Sequence, residues 1–288
     1  MTVLVLGATG TIGRHLAQFL ADRGVSTRLA TRTPHLLRDA PRGAEAVGFN
    51  FDRPETHEPA LAGVERAFLL LRTGEPRRLE VGRSLLGSMK AAGVRHVVLL
   101  TGYGVDAHET SPMRRLELSL ETSGMAHTHL RPSYFMQNFC VGALREGIVK
   151  RDEIAVAAGD AAISFIDARD IAAVAAEALS SNAHENRAYD LTGGAAVTHA
   201  DIARTIGVAA GRAIGYRART DAEARIELAA AGLPSQAIDT RLMFLAQART
   251  GAFARTTSVV AEVTGRPPRT FDAFAQDHAH LFQAEIAR

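Results

Sequence analysis

The sequence predicts an open α/β fold, a doubly wound parallel sheet with a smaller, mostly helical C-terminal lobe. Three features lead there. Strand-length apolar runs alternate with helix-period segments through the first half of the chain. A glycine cluster sits at the first strand-to-helix turn, and after Arg131-Pro132 the alternation gives way to helical periodicity. A parallel crossover is right-handed and must cover a face of the sheet, so such a βαβ series lays helices on both sides of the strands.

Taken in order, strands are predicted at Thr2–Leu6 and at residues 25–30, 44–48, 66–71, 95–100 and 126–130, with helices at 13–22, 78–92 and 113–122. Beyond Pro132 the pattern predicts a helical stretch over 135–145 and short strands at 153–156 and 162–165. Helices follow at 168–179, 199–210, 222–231, 235–248 and 271–282. This divides the chain into a nucleotide-binding domain over 1–131 and a lobe over 132–288 that is interleaved with the sheet rather than tethered to it. No repeat or low-complexity linker interrupts it.

Composition narrows the function classes. A chain of 288 residues, 47% hydrophobic and 22% charged, matches soluble globular proteins, which excludes disordered, collagenous and coiled-coil readings. Lys plus Arg at 33 against Asp plus Glu at 31 leaves no excess of positive charge to neutralise a nucleic-acid backbone. Cys140 is a lone cysteine without a disulfide partner, and the N-terminus opens on a strand with no signal-like segment, so a cytoplasmic location is expected. No apolar run approaches the roughly 20 residues that span a bilayer.

The strongest local signal is Val3-Leu4-Val5-Leu6-Gly7-Ala8-Thr9-Gly10-Thr11-Ile12-Gly13, an apolar strand entering a glycine turn that opens a helix. Gly7 permits the tight turn, Gly10 admits a pyrophosphate close to the backbone, and Gly13 lets helix and strand approach. Free N–H groups at the helix start favour an anion, so the turn reads as a dinucleotide site. A P-loop is excluded, because no Gly-Lys-Ser/Thr closes the loop. An acidic residue for the ribose 2′-hydroxyl is expected about 20 residues on, yet nothing acidic lies between Asp22 and Asp39. Arg28, Arg32 and Arg38 stand there instead, and a guanidinium pairs with a 2′-phosphate. NADP(H) is therefore expected over NAD(H), with Arg32 the leading contact and Arg28 or Arg38 as helpers; decoration of a strand end is the other reading of these arginines.

The chain resembles the NmrA-like group of atypical short-chain dehydrogenase/reductases over nearly its whole length. The likeness is carried by Gly7-Ala8-Thr9-Gly10-Thr11-Ile12-Gly13, by the block from Ser123-Gly124 through Leu130-Arg131-Pro132, and by Phe135-Met136-Gln137-Asn138. Ile163 through Asp170, Tyr189-Asp190-Leu191-Thr192-Gly193 and Thr264-Gly265-Arg266-Pro267-Pro268 continue it. The resemblance implies a Rossmann domain for a nicotinamide cofactor, with the smaller lobe closing over a cleft. It implies Gly7, Thr9, Gly10, Thr11, Ile12 and Gly13 at the pyrophosphate, Arg32 at the adenosine phosphate and Asp52 near adenine. Leu70, Leu71 and Arg72 fall near the riboses, Thr101, Gly102 and Tyr103 end the fifth strand, and Pro132, Ser133, Tyr134 and Phe135 face the nicotinamide.

One departure is informative. The superfamily's Tyr-x-x-x-Lys pair, in which lysine lowers the tyrosine pKa, is missing: with Glu117 matched to the family's glutamate, Met113 fills the lysine position and Glu109 stands four residues earlier. Hydride transfer to a quinone or other conjugated acceptor asks less of the protein, since stacking can align donor and acceptor.

Among the remaining candidates, Tyr103 follows Thr-Gly at the C-terminal end of a strand and is the best placed proton donor, although packing on a ribose suits it too. Tyr134 reads as a pocket wall or core residue, and His129 and Asn138 as further substrate contacts. His127 with His129, and His278 with His280, lack a third ligand at helpful spacing, so no metal is expected. Cys140 reads as a small buried hydrophobe, Asp167 and Asp170 as helix-capping residues, and Phe271, Phe274 and Phe282 as core.

The expected function is an NADPH-dependent oxidoreductase that reduces a small quinone-like, enone or carbonyl acceptor by hydride transfer. The alternative is an NADP(H)-sensing regulatory module that binds a protein partner without turnover, motivated by the replaced lysine. A small-molecule substrate is expected, without nucleic acid or membrane, and a homodimer is left open.

Overall fold

The computed structural model describes residues 1–37, 39–71 and 77–284, and the chain divides into two compact units. The first comprises Met1–Pro132, Ala168–Leu191 and Val259–Arg266. The second comprises Ser133–Asp167, Thr192–Ser258 and the described residues from Pro267 onward.

In the first unit β1 (Thr2–Leu6), β2 (Ser26–Thr31), β3 (Ala44–Gly48), β4 (Arg66–Leu69), β5 (His96–Leu100) and β6 (Ala126–Pro132) pair in parallel. A further strand, β8 (Arg187–Leu191), pairs parallel with β6, giving the order β3-β2-β1-β4-β5-β6-β8 among the described residues. The inner strands are apolar on both faces, as parallel strands between two helical layers must be. Val3 through Leu6 and Val97 through Leu99 are fully buried. Leu4, Leu6, Ala67, Leu69, Val97 and Leu99 share one core with Leu85, Leu86 and Met89 of α3 (Arg78–Ala91) and with Leu116 and Leu120 of α4 (Pro112–Glu121). Val3 and Val5 point the other way. α1 (Gly13–Asp22) and α6 (Ala168–Ser180) pack on each other, and α6 also touches β4, β5 and β6.

The second unit contains α5 (Gly142–Arg151), a parallel pair of β7 (Glu153–Val156) with β9 (Gly215–Ala218), α7 (His199–Ala210), α8 (Asp221–Ala230), α9 (Ser235–Arg249) and α11 (Phe271–Asp277). Its aromatic core joins Phe139 to Phe165 and Phe271, each pair 5.5 Å between ring centres. Phe271, Phe274 and Phe282 are all buried, the core role expected of them.

Several boundaries differ from the sequence reading for local reasons. The helix expected over 135–145 is a 3-10 turn, Met136–Cys140, followed by α5, because Val141 between them is extended at φ −141° and ψ 159°. The strand expected at 162–165 is absent among the described residues: Phe165 N–H turns back to Ile163 C=O at 3.0 Å, leaving isolated bridges at Ile163 and Ile166. The helix over 271–282 stops at Asp277 and resumes as a 3-10 turn, Ala279–Leu281. α2 (His57–Leu61), α10 (Val259–Thr264), β8 and β9 were not foreseen as elements.

A buried ion network fixes the ends of β5 and β6. Glu117 of α4 is 0% exposed. It accepts from Arg131 Nε at 3.0 Å and Nη2 at 2.8 Å, from Thr101 Oγ1 at 2.7 Å and from Arg114 Nη1 at 3.0 Å. Arg131 Nη1 also meets Asp106 Oδ2 at 2.9 Å. Burial by itself would raise the Glu117 pKa, but the Arg131 hydrogen bonds, with the Thr101 bond and nearby positive charge, hold it below the ordinary carboxylate value.

Two predictions follow from these buried groups. Arg131→Met leaves Glu117 short of its bidentate partner and is expected to cost about 3 kcal/mol in urea unfolding, since stripping one member of a buried pair strands the other charge. An R131M/E117Q double variant should recover part of that loss; a single variant as stable as the parent would refute the clamp. The second concerns pH. His96, His129 and His199 are buried, and burial first, then neighbouring charges, pushes each down to about 4. Arg66, His127 and His184 face His96; Arg241 faces His199; Arg131 and His127 lower His129 against Glu117 and Glu121. The unfolded chain takes up these protons near 6.5, so stability is complete above that value and falls as pH drops toward about 4. Each histidine contributes a loss of about 2 kcal/mol by about pH 5. A urea midpoint that stays constant from neutral pH to about pH 5 would contradict this.

Candidate functional site

The turn from β1 into α1 is closed by backbone alone. Gly7 sits at φ +69°, and Gly10 N–H donates to Gly7 C=O at 2.9 Å. A Cβ placed on Gly13 would stand 2.2 Å from Gly7 O, and one on Gly10 would stand 3.1 Å from the same oxygen. α1 starts at Gly13 with no side chain capping its N-terminus and no acidic residue in its first turn. Its positive end is thus left to an anion. Thr9 and Thr11 are exposed, while Ile12 is buried. This cradle, which a side chain would fill and a nearby carboxylate would repel from, fits a diphosphate.

The strand order reverses between β1 and β4, and ligands of open α/β sheets occupy such a switch point at the strands' carboxyl ends. Leu70 lies there, its Cδ2 3.4 Å from a Cβ built on Gly7, and Leu71 beside it is buried. Arg72 and Arg38 lie outside the described residues. On the other side of β1, Arg32 directly follows β2, is exposed, and is bonded to no described residue. Arg28 is committed elsewhere: it pairs with Glu45 at 3.2 Å and donates to the carbonyls of Ala60 and Ala62 at 3.1 and 2.7 Å. Asp52, in the turn after β3, pairs with Arg77 at 3.3 Å.

Further along the same edge, Thr101-Gly102-Tyr103 leaves β5, pinned by the Thr101–Glu117 bond and by Tyr103 N–H to Pro132 C=O at 3.0 Å. Met113 Sδ stands 4.0 Å from a Cβ built on Gly102. The position that would carry a lysine therefore presents a thioether to this loop. The Glu117–Arg131 clamp that holds the loop escaped sequence reasoning; Glu117 served only as an alignment marker, although a Glu and an Arg in flanking apolar runs were a signal to pair them.

In the second unit, Ser133 is buried, Tyr134 and Phe135 are half-buried and Asn138 is exposed. The Tyr134 ring meets Phe253 edge-on at 5.2 Å and Phe165 at 6.0 Å, and its C=O accepts from Ile166 N–H at 2.8 Å. Its hydroxyl is buried with no hydrogen-bond partner, and that burial raises its pKa, so it stays protonated.

Other candidates resolve into packing roles. His129 is 1% exposed, stacks on His127 at 4.8 Å and meets Glu121 Oε1 at 3.1 Å, so its ring offers no face to a substrate and we drop it from the acceptor contacts. Glu121, from α4, supplies the third metal-ligand type that spacing along the chain did not reveal; ligand atoms of Glu121, His127 and His129 lie within 4.8 Å of one another. Arg114 Nη1 occupies Glu121 Oε1 at 2.8 Å and His127 joins by ring stacking alone, so we read the trio as a packed, hydrogen-bonded pair with a stacked ring rather than a metal centre. Cys140 is half-buried at the end of a 3-10 turn rather than inside a helix. His278 meets Phe274 C=O at 2.9 Å, and Asp167 and Asp170 are buried around the start of α6. Among the described residues no helix is long and apolar enough to cross a membrane.

Comparison with known proteins agrees with this geometry. The NAD(P)H azoreductase of Xenophilus azovorans is 35% identical over 98% of this chain and 99% of its own length. A (4-alkanoyl-5-oxo-2,5-dihydrofuran-3-yl)methyl phosphate reductase of Streptomyces griseus subsp. griseus is 34% identical over 98% of this chain and 100% of its own. The crystal structure of an NADPH-dependent quinone oxidoreductase from Escherichia coli, complexed with NADPH, superposes with a TM-score of 0.86 at 24% identity, covering 98% of this chain and 100% of that one. A sequence model described as NAD(P)H-binding matches residues 7–182. With the glycine turn at its sheet's switch point, the chain belongs to the NAD(P)H-binding family.

Proposed function

We propose that this protein is an NADPH-dependent reductase of small, conjugated, quinone-like acceptors. The observation that carries the acceptor class is Met113 beside Gly102: a thioether and the carboxylate of Glu109 stand where the superfamily's lysine and tyrosine would, so no lysine-activated tyrosine is there to protonate an alkoxide. A hydride added to an isolated ketone leaves an alkoxide that needs a strong proton donor. Added to a quinone it leaves a phenolate, which does not. The relatives' names, azoreductase and quinone oxidoreductase among them, support the same class.

Under this reading NADPH supplies the hydride, and the chain supplies position and electrostatics. Backbone N–H groups of Thr9, Thr11, Ile12 and Gly13 hold the diphosphate, with Gly7 and Gly10 letting it approach, helped by the positive end of α1. Arg32, exposed and unmatched by acid, takes the 2′-phosphate, and Asp52 lies toward the adenine. Leu70 and Leu71 pack against the ribose side, with Arg72 beside them in sequence. Thr101, Gly102 and Pro132 shape the wall nearest the nicotinamide, with Ser133 and Phe135 continuing it. Tyr103, held by its backbone bond to Pro132, is the group we assign to donate a proton to the reduced acceptor, and Tyr134 and Asn138 are further acceptor contacts.

Turnover is checked by following the loss of NADPH absorbance against a panel of quinones, enones and simple ketones. Quinones should be reduced fastest and simple ketones slowest. Tight NADPH binding with no turnover on any of them would overturn the reductase reading. For the cofactor, Arg32→Ala is expected to weaken NADPH binding by about 1.5–3 kcal/mol, the range for a hydrogen bond to a charged group, with NADH binding unchanged. Equal affinities of the parent for NADPH and NADH would refute the role of Arg32.

A further inference from the structure

The second unit holds a cavity of about 500 Å³ between α5, β7, β9, α8 and α9, with apolar walls from Leu144, Val156, Ala157, Leu228 and Leu245. The charges that reach it are mostly matched. Arg219 pairs with Glu227 at 2.8 Å and Arg151 with Glu153 at 3.1 Å. Glu146 is exposed on α5 and Arg217 on β9. Arg241 of α9 differs: it lines the cavity, is partly buried, and forms no hydrogen bond or ion pair with any described residue. Arginine stays charged in a protein, so this guanidinium presents up to five unused N–H donors in a planar fork that suits a carboxylate, sulfonate or phosphate.

Tyr134 Oη, His199 Nδ1 and Arg219 Nε of this unit are also buried without partners, and the first two groups feel the Arg241 charge. Such orphans are rare in folded proteins, where buried polar atoms find partners. Burial lowers the Arg241 pKa, and no carboxylate offsets it; the opposing influence is the Tyr134 phenol. His199, stacked on Tyr216 at 5.9 Å, is neutral at pH 7 and leaves the positive charge to Arg241.

We propose that this cavity binds a small aromatic or conjugated acid, with Arg241 receiving its carboxylate, sulfonate or phosphate monoester group. The apolar part of such a ligand would pack on Leu144, Val156, Leu228 and Leu245. The site goes beyond the reductase reading and does not depend on it.

The test uses the full chain saturated with NADP⁺, so that the glycine turn is filled, and calorimetric titration with 2-naphthalenesulfonate and its neutral analogue 2-naphthalenesulfonamide. The parent should bind the sulfonate at least about tenfold more tightly, equivalent to about 1.4 kcal/mol. Arg241→Met should abolish that preference, and Arg241→Lys should keep part of it, because the charge remains while the fork is lost. Arg241→Gln provides a second uncharged variant if the methionine chain does not fold. No preference in the parent, or a preference that survives in both uncharged variants, would overturn the proposal. Turnover is not read here, so failure of the acceptor panel bears on the reductase reading and loss of charge preference bears on Arg241.

Discussion

The first unit rests on how closely one helix can approach one strand. Gly13 must pass so near Gly7 O that a single added carbon would sit 2.2 Å from it, and no rotamer change relieves a clash with backbone. That approach sets the direction of α1, and with it the face on which α1 meets α6. The same glycines leave the helix end bare. A constraint that begins as packing thus ends as chemistry, because the space a side chain would take is the space where a diphosphate meets backbone donors.

The opposite end of the sheet edge is held by charge rather than by close approach. Glu117 and Arg131 lie on different elements, both buried, and their bidentate contact draws α4 onto the exits of β5 and β6. Thr101 joins the same carboxylate, so the loop that carries Tyr103 starts from a fixed point. Next to it Met113 brings an apolar sulfur where a cation would assist acid–base chemistry. The site is rigid in its backbone and poor in proton-transfer groups, a combination that suits reactions governed by alignment.

Much of this was legible in the sequence, for a physical reason. The central strands of a parallel sheet are buried on both faces and so appear as unbroken apolar runs; β1 and β5 stood out in this way. β8 escaped notice because it is an edge strand: Arg187, Ala188, Tyr189 and Asp190 are at least partly exposed, and only Leu191 is buried. The helix over 135–145 failed where one residue, Val141, adopts an extended backbone that periodicity cannot register. His129 was expected to touch substrate, but it lies mid-strand in β6 and is buried beside Glu121 of α4, a tertiary fact with no local trace. Arg28 was expected to help Arg32 at the same phosphate, and the fold separates them: Arg28 braces β2 against the Ala60 and Ala62 carbonyls, and Arg32 is left exposed.

That separation reflects a broader economy of charge. Acidic and basic residues nearly balance in this chain, and its partly buried arginines are mostly spent on specific partners. Arg66 donates to the Ser181 carbonyl, Arg131 grips Glu117, Arg212 reaches Asp152 and two carbonyls, and Arg249 takes Asp221. Desolvating a guanidinium is costly, so an arginine that stays partly buried without an acceptor is retained against a penalty unless a ligand completes it. Arg32 and Arg241 share the lack of a partner but differ in environment. Arg32 is in water, where its charge is cheap to keep and available to a phosphate arriving from solution. Arg241 stands against apolar walls, where an anion would gain more per bond because little water competes for it. The first position suits recognition of a cofactor's outermost group, and the second suits discrimination among ligands that differ by a single charge.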